Sequence, residues 1–123
     1  MNAVAYLLIL AALLPLLAAT VAKARGERFD NNDPRGWLAR QQGWRARANA
    51  AQSNLFESLP FFFAAVLYAL YAGAAPGTVG WLMLAWIVLR LAYIGCYLAD
   101  LGLPRSAVWA LALALNIAIV FAG

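Results

Sequence analysis

Four long apolar stretches dominate this chain of 123 residues, at about residues 3–22, 48–72, 79–99 and 106–122. Each is close to the roughly 20 residues that a helix needs to cross the hydrocarbon layer of a bilayer. The chain is 66% apolar and only 11% charged, whereas a soluble domain is roughly 45–50% apolar and about 25% charged. We therefore predict an all-α, integral membrane four-helix bundle that forms a single domain over residues 1–123.

The residue inventory excludes several kinds of chemistry. The chain has no histidine and a single cysteine, Cys96. A disulfide within the chain, a thiolate zinc cluster and a histidine-based catalytic triad are therefore excluded, and we expect no metal site. Any function must rest on arginine, tyrosine, carboxylate and amide groups.

Positive charges are concentrated in the first and third connections between the spans. Residues 23–47 hold seven of the nine basic residues, and Arg105 precedes the fourth span. The positive-inside rule places both connections in the cytoplasm and both termini on the opposite side. The net charge of +4 is then a consequence of topology, and we expect no nucleic-acid partner. The short chain and its basic loops favour a bacterial inner membrane.

Two charged residues, Glu57 and Arg90, lie inside predicted spans. Such charges are costly in hydrocarbon and usually have a partner or a functional role. Because the second and third spans are antiparallel, Glu57 and Arg90 are expected at similar depths. They could therefore form an ion pair that stabilises the bundle, or they could belong to a binding site.

Polar residues form two stripes at helical spacing. Arg47 and Asn54 are seven residues apart and share a face, and Glu57 lies one turn further along its edge. In the third span one stripe consists of Arg90, Tyr93 and Tyr97. Guanidinium groups suit carboxylates, and a carboxylate suits an ammonium group. The two stripes predict a pocket for a small zwitterionic or anionic molecule, such as a peptide-like ligand with two carboxylates and one amine.

The second span also carries a sequence signature. Residues 50–62 read Ala-Ala-Gln-Ser-Asn-Leu-Phe-Glu-Ser-Leu-Pro-Phe-Phe, which resembles the Arg-Ala-x-x-Asn-x-x-Glu-x-x-Pro-x-Phe signature of the membrane-associated proteins in eicosanoid and glutathione metabolism. The third-span stripe, followed by Arg105, is similar to a second signature of that family. Span number and length agree as well, so the resemblance covers nearly the whole chain.

This resemblance implies a homotrimer of four-helix protomers that binds glutathione as a co-substrate between subunits. The implied activity is that of a transferase or peroxidase that acts on lipophilic electrophiles from the bilayer, without a metal. Arg105 would stabilise the glutathione thiolate, and Lys23 and Arg25 stand near the place of further cations. The implied glutathione contacts are Arg47, Gln52, Asn54, Glu57, Arg90, Tyr93 and Tyr97.

One departure from the signature leaves other functions open. Ala50 occupies the position of the signature arginine, and the loss of a charge-assisted hydrogen bond costs about 1.5–3 kcal/mol. A non-enzymatic membrane protein that keeps the family fold is therefore an alternative. A small multidrug-type transporter is a second alternative, although its key glutamate would lie in the first span, which is uncharged here, and Arg90 would oppose a cationic drug.

Overall fold

A computed structural model describes residues 2–23 and 28–123, and these residues form five helices without a strand. Four of the helices are long and apolar enough to cross a membrane. The predicted all-α fold with four membrane-spanning helices is confirmed. The helices are α1 Asn2–Lys23, α2 Pro34–Ala39, α3 Trp44–Tyr71, α4 Pro76–Leu98 and α5 Gly102–Val120.

The four long helices pack as an antiparallel bundle, in which α3 contacts α1, α4 and α5. We call the end of the bundle where α1 and α4 finish and α3 and α5 begin the basic end. At this end α3 begins at Trp44 and α5 at Gly102, each four residues before the expected start of its span. Both helices therefore extend beyond their apolar segments, because amphipathic residues such as Arg45 and Arg105 continue the helix past the hydrocarbon layer.

Tight turns at positive φ connect α3 to α4 and α4 to α5. Gly73 has a φ of +95° and lies just after α3, where the amide of Ala74 donates to the carbonyl of Ala69 at 2.9 Å. This is the hydrogen bond of a Schellman cap, in which glycine readily adopts the left-handed conformation. Asp100, with a φ of +59°, occupies the corresponding position after α4.

The connection between α1 and α3 contains a short helix that the sequence analysis missed. Residues 30–36 contain many turn-forming residues, and α2 begins among them at Pro34. Asp33 caps this helix by accepting a hydrogen bond from the amide of Gly36 at 3.2 Å. Trp37 is buried, and its Nε1 donates to the carbonyl of Arg28 at 2.8 Å. These contacts fix the start of α2 and tie the helix to the segment before it, and α2 also packs against α3.

The bundle core combines small residues with one aromatic stack. Ala11, Ala18 and Ala22 of α1 are fully buried, which lets the backbone of α1 approach its neighbour closely. Phe62 of α3 stacks on Trp86 of α4 with ring centroids 3.9 Å apart and planes 14° apart. This stack fixes the position of α4 relative to α3 near the middle of the bundle.

Candidate functional site

A buried arginine is the centre of the polar site. Arg90 in α4 is only 1% exposed, and its Nη2 donates to Oδ1 of Asn54 in α3 at 2.6 Å. Its guanidinium lies 4.3 Å from the ring centroid of Tyr93 and 5.8 Å from that of Trp86. A hydrogen bond and two aromatic faces therefore compensate part of the cost of burying the charge.

Glu57 lies beside this arginine without pairing with it. Both residues line the same cavity, but within residues 2–23 and 28–123 no salt bridge joins them. Instead, Asn54, one turn before Glu57, accepts a hydrogen bond from the Nη2 of Arg90. Of the two possibilities that the sequence left open, the Glu57–Arg90 ion pair is therefore not formed among the described residues, and the Glu57 side chain stays exposed at the cavity edge.

The cavity has a volume of about 220 Å³ and lies between α3, α4 and α5. One part of its wall is polar and the other is aromatic and aliphatic. Two buried polar atoms at the cavity residues, Nε of Arg90 and Oδ1 of Asn116, have no hydrogen-bond partner among the described residues. Buried polar atoms are normally hydrogen-bonded, so these two atoms are available to a molecule in the cavity. Its walls are formed by Asn54, Glu57, Ser58, Phe61, Trp86, Arg90, Trp109, Ala112, Leu113 and Asn116.

A row of two aromatic rings between two guanidinium groups leads from the cavity to the basic end. Arg90 stacks on Tyr93, whose ring meets that of Tyr97 edge-on with centroids 5.6 Å apart. The guanidinium of Arg105 then lies 4.5 Å from the ring centroid of Tyr97. We call these four residues the Arg–Tyr row. The structure thus brings together the third-span stripe and Arg105, which comes from the next helix.

Arg47 is positioned by a different contact. Its Nε and Nη2 donate to the carbonyl of Leu98 at 3.3 and 3.1 Å. Leu98 is the last residue of α4, where backbone carbonyls lack a partner within the helix. Arg47 therefore caps α4 and does not line the cavity around Arg90.

Gln52 lies on another side of α3. It lines a separate groove with Arg35 and Leu38 of α2. Two residues along a helix correspond to a rotation of about 200°, so Gln52 and Asn54 point in nearly opposite directions. Within one chain the structure does not bring Gln52 together with the other residues that the resemblance implied.

Of the two cations expected near the end of α1, the structure describes only Lys23. Lys23 is the last residue of α1, and its Nζ lies 4.5 Å from the ring centroid of Phe29. This contact ties Lys23 to the segment before α2. Arg25 lies outside the described residues.

The sequence analysis did not identify the apolar wall of the cavity. Trp109 and Phe61 both line the cavity with Trp86. Asn116 also lines the cavity, and its Oδ1 has no hydrogen-bond partner in the described chain. The spacing of Trp109, Ala112 and Asn116, at positions i, i+3 and i+7, was a signal that they share one face of α5.

The chain was compared with known protein families, curated proteins and solved structures. A model of the MAPEG family matches residues 3–123. No curated protein and no solved structure matches the chain.

Proposed function

This chain belongs to the MAPEG family, the membrane-associated proteins in eicosanoid and glutathione metabolism. From that premise we propose that it is a membrane enzyme that either transfers glutathione to lipophilic electrophiles or uses glutathione to reduce hydroperoxides. Family membership supports a glutathione-related integral membrane protein in general. The substrate class, the reaction and the residue roles are our proposal.

The observation that carries the proposal is the polar cavity around Arg90. The Nε of Arg90 has no hydrogen-bond partner among residues 2–23 and 28–123, and it suits a carboxylate of glutathione. The exposed carboxylate of Glu57 lines the same cavity and suits an ammonium group. Asn54 holds the guanidinium in place through its 2.6 Å hydrogen bond. The chemistry of these groups matches a peptide that carries carboxylates and one amine.

In this proposal the Arg–Tyr row holds the reactive sulfur. Bound glutathione would supply the thiol, and its thiolate is the nucleophile. The guanidinium of Arg105 stabilises the negative charge, and the hydroxyls of Tyr93 and Tyr97 donate hydrogen bonds to the sulfur or to the peptide. Conjugation joins sulfur to an electrophilic carbon: either a leaving group departs with the electron pair of its broken bond, or a π bond opens and the resulting carbanion takes up the proton that the thiol lost. Hydroperoxide reduction consumes two thiols and yields a disulfide, an alcohol and water.

We also propose that the protein is a homotrimer, as the resemblance implies. The cavity volume of about 220 Å³ within one chain is smaller than the roughly 300–1,000 Å³ of typical small-molecule sites. Glu57 is exposed although it lies within a membrane-spanning helix, where an uncovered charge is costly. A neighbouring copy that covers this side would enlarge the site and shield Glu57.

The apolar wall supports entry of the second substrate from the bilayer. Phe61 and Trp109 line the cavity and are 41% and 43% exposed. Their exposed surfaces allow a lipophilic molecule to move from the lipid towards Arg90 without crossing water. With the basic end in the cytoplasm, glutathione would reach the Arg–Tyr row from the opposite direction.

One observation favours a non-enzymatic protein of the same fold as a second candidate. Ala50 leaves α3 without the signature arginine, and Arg47 is engaged with the carbonyl of Leu98. The nearest arginine on that face is therefore not free to replace the missing one. On this alternative the cavity binds no thiol.

Calorimetric titration of glutathione into the detergent-purified full chain tests the proposal. We expect saturable binding that Glu57→Gln weakens by about tenfold, since a charge-assisted hydrogen bond contributes about 1.5 kcal/mol or more. Asp100→Asn removes a carboxylate that does not line the cavity and should leave affinity unchanged. Absence of binding at millimolar glutathione would contradict the proposal and favour the second candidate.

A further inference from the structure

The cavity around Arg90 has two ends that lie at different depths in the bundle. Arg90 lies eight residues before the end of α4 at Leu98, and Asn116 lies fourteen residues after the start of α5 at Gly102. These separations correspond to about 12 and 21 Å along the helix axes. Because only residues 99–101 connect the two helices, Asn116 lies about 9 Å further from the basic end than Arg90.

The deeper part of the cavity, which we call its inner end, is formed by Phe61, Trp86 and Asn116. Phe61 lies four residues after Glu57, and Trp86 lies four residues before Arg90. Each aromatic residue is therefore about 6 Å deeper along its helix than the charged residue. The charged groups that the proposed function assigns to glutathione lie nearer the basic end. The inner end, with two aromatic side chains and one amide, suits a lipophilic molecule instead.

Asn116 supplies an unsatisfied hydrogen-bond acceptor at the inner end. Its side chain is 4% exposed, and its Oδ1 has no hydrogen-bond partner in the described part of the chain. Two donors of the cavity wall are engaged elsewhere. The hydroxyl of Ser58 donates to the carbonyl of Leu55 at 2.8 Å, and the Nη2 of Arg90 donates to Asn54. Buried amide oxygens normally accept a hydrogen bond, so this one fits a ligand that brings a donor.

The reacting sulfur belongs to the other end of the same face of α5. In the proposed function the glutathione thiolate lies beside Arg105, which is eleven residues before Asn116. Eleven residues make about three full turns and span about 16 Å, so the two residues share a face of the helix. A donor that reaches Asn116 is therefore separate from the atom under attack. It belongs to a distant part of the second substrate.

We propose that Asn116 is a specificity-determining residue that selects long-chain electrophiles with a hydroxyl group far from the reactive carbon. This inference rests on the proposed function and adds the class of the second substrate. The electrophile enters past Phe61 and Trp109, and its distal hydroxyl donates to the Oδ1 of Asn116. Its chain then extends along α5 towards Arg105, which places the reactive carbon within about 16 Å of the hydroxyl.

Conjugation of glutathione to a set of straight-chain enones by the detergent-purified full chain tests this role. All share one reactive enone. The sulfur adds to its β-carbon, the carbon–carbon π bond opens, and the α-carbon takes up the proton that the thiol lost. The far end of the long chain, about 16 Å away, is a hydroxyl group, its methyl ether or a methyl group. A second pair, with a hydroxyl or a methyl end, has a chain too short to reach Asn116 from Arg105.

The variants are Asn116→Leu and Asn116→Ala, which both remove the amide, the first with little change in side-chain size. Asn31→Leu is the matched control, because it makes the same change at an exposed residue that does not line the cavity. The readout is the ratio of kcat/KM for the hydroxyl-ended enone to kcat/KM for the methyl-ended enone. A general change in activity or in the folded fraction cancels in this ratio.

We expect the wild type and Asn31→Leu to prefer the long hydroxyl-ended enone by about tenfold over the methyl-ended enone, as one hydrogen bond within a membrane allows. The methyl ether should gain nothing, because it brings no donor. Asn116→Leu and Asn116→Ala should remove the preference and keep turnover of the methyl-ended enone. The short-chain pair should show no preference in any form of the protein.

Three outcomes would overturn this inference and leave the proposed function intact. The first is turnover without a preference for the long hydroxyl-ended enone, or with a preference that both Asn116 variants keep. The second is an equal preference in the short-chain pair, which would put the hydroxyl near the sulfur. The third is a change from oligomer to monomer in Asn116→Leu, which would assign the amide to a contact with a second copy.

The short methyl-ended enone separates failure of this inference from failure of the proposed function. It does not reach Asn116, so its conjugation reports the glutathione reaction alone. If it is conjugated but the long enones are not, only the role of Asn116 is overturned. If neither it nor any long enone is conjugated, the proposed function is contradicted, and the substrate role of Asn116 is overturned with it.

Discussion

The guanidinium of Arg90 in α4 donates to the side-chain oxygen of Asn54 in α3 across 2.6 Å, which joins two membrane-spanning helices by a buried, charge-assisted hydrogen bond. This bond decides the geometry of the polar site. It orients Arg90 so that one nitrogen is satisfied by the protein while Nε has no protein partner in the described residues. The same guanidinium begins the Arg–Tyr row that ends at Arg105.

Asn54→Leu should destabilise the bundle by about 3 kcal/mol, because it leaves a buried guanidinium without its acceptor. The free energy of unfolding, measured by denaturant titration in micelles and followed by circular dichroism, checks this. Asn54→Asp keeps an oxygen acceptor and should cost clearly less. Equal losses for both variants would show that the hydrogen bond contributes nothing specific.

Arg47→Met should lower the free energy of unfolding by about 1.5–3 kcal/mol, because the carbonyl of Leu98 loses a charged donor at the end of α4. Glutathione affinity should change less than threefold if Arg47 acts as a cap rather than as a ligand contact. Thermal unfolding and calorimetric titration of the same preparation separate the two roles. A large loss of affinity with unchanged stability would refute the capping role.

Gly36→Ala should release the first turn of α2. A Cβ at this position would overlap Oδ2 of Asp33, the residue that caps the helix, and loss of such a cap costs about 1 kcal/mol. Hydrogen exchange of the α2 amides should become faster. Gly77→Ala is the matched control, because a Cβ there meets no atom within 4 Å. Equal exchange of the α2 amides in both variants would contradict this account of the cap.

Asn116→Leu should raise the free energy of unfolding of the ligand-free protein by about 1 kcal/mol. The substitution keeps the side chain large and removes a buried oxygen that has no partner in the described chain. Thermal unfolding in detergent measures the change. A loss of more than 1 kcal/mol would instead mean that the amide has a bound water or a second copy as its partner.

Much of the fold could be predicted because membrane-spanning helices follow directly from apolar length. The short helix α2 could not be found this way, since it is amphipathic and only six residues long. The pair Asp33-Pro34 was the available signal, because aspartate favours the N-cap and proline the first helical position.

The site was only partly predictable because periodicity gives the face of a helix but not its neighbour. Tyr93 and Tyr97 were correctly expected on one face with Arg90, and the structure adds that Arg105 joins them from α5. Gln52 and Asn54 were grouped through the resemblance although a two-residue separation places them on opposite sides of α3. The choice of Asn54 over Glu57 as partner of Arg90 depends on helix packing, which the sequence does not specify.

Thiolate absorbance near 240 nm, followed while glutathione is titrated into the detergent-purified full chain, tests the central claim most directly. The account predicts a saturable signal at neutral pH that Arg105→Ala abolishes, Glu57→Gln shifts to higher glutathione concentration, and Arg40→Ala leaves intact. If calorimetry detects glutathione binding but no thiolate signal appears, only the proposed role of Arg105 in stabilising the thiolate is contradicted. Absence of both binding and signal at millimolar glutathione would contradict the proposed function itself.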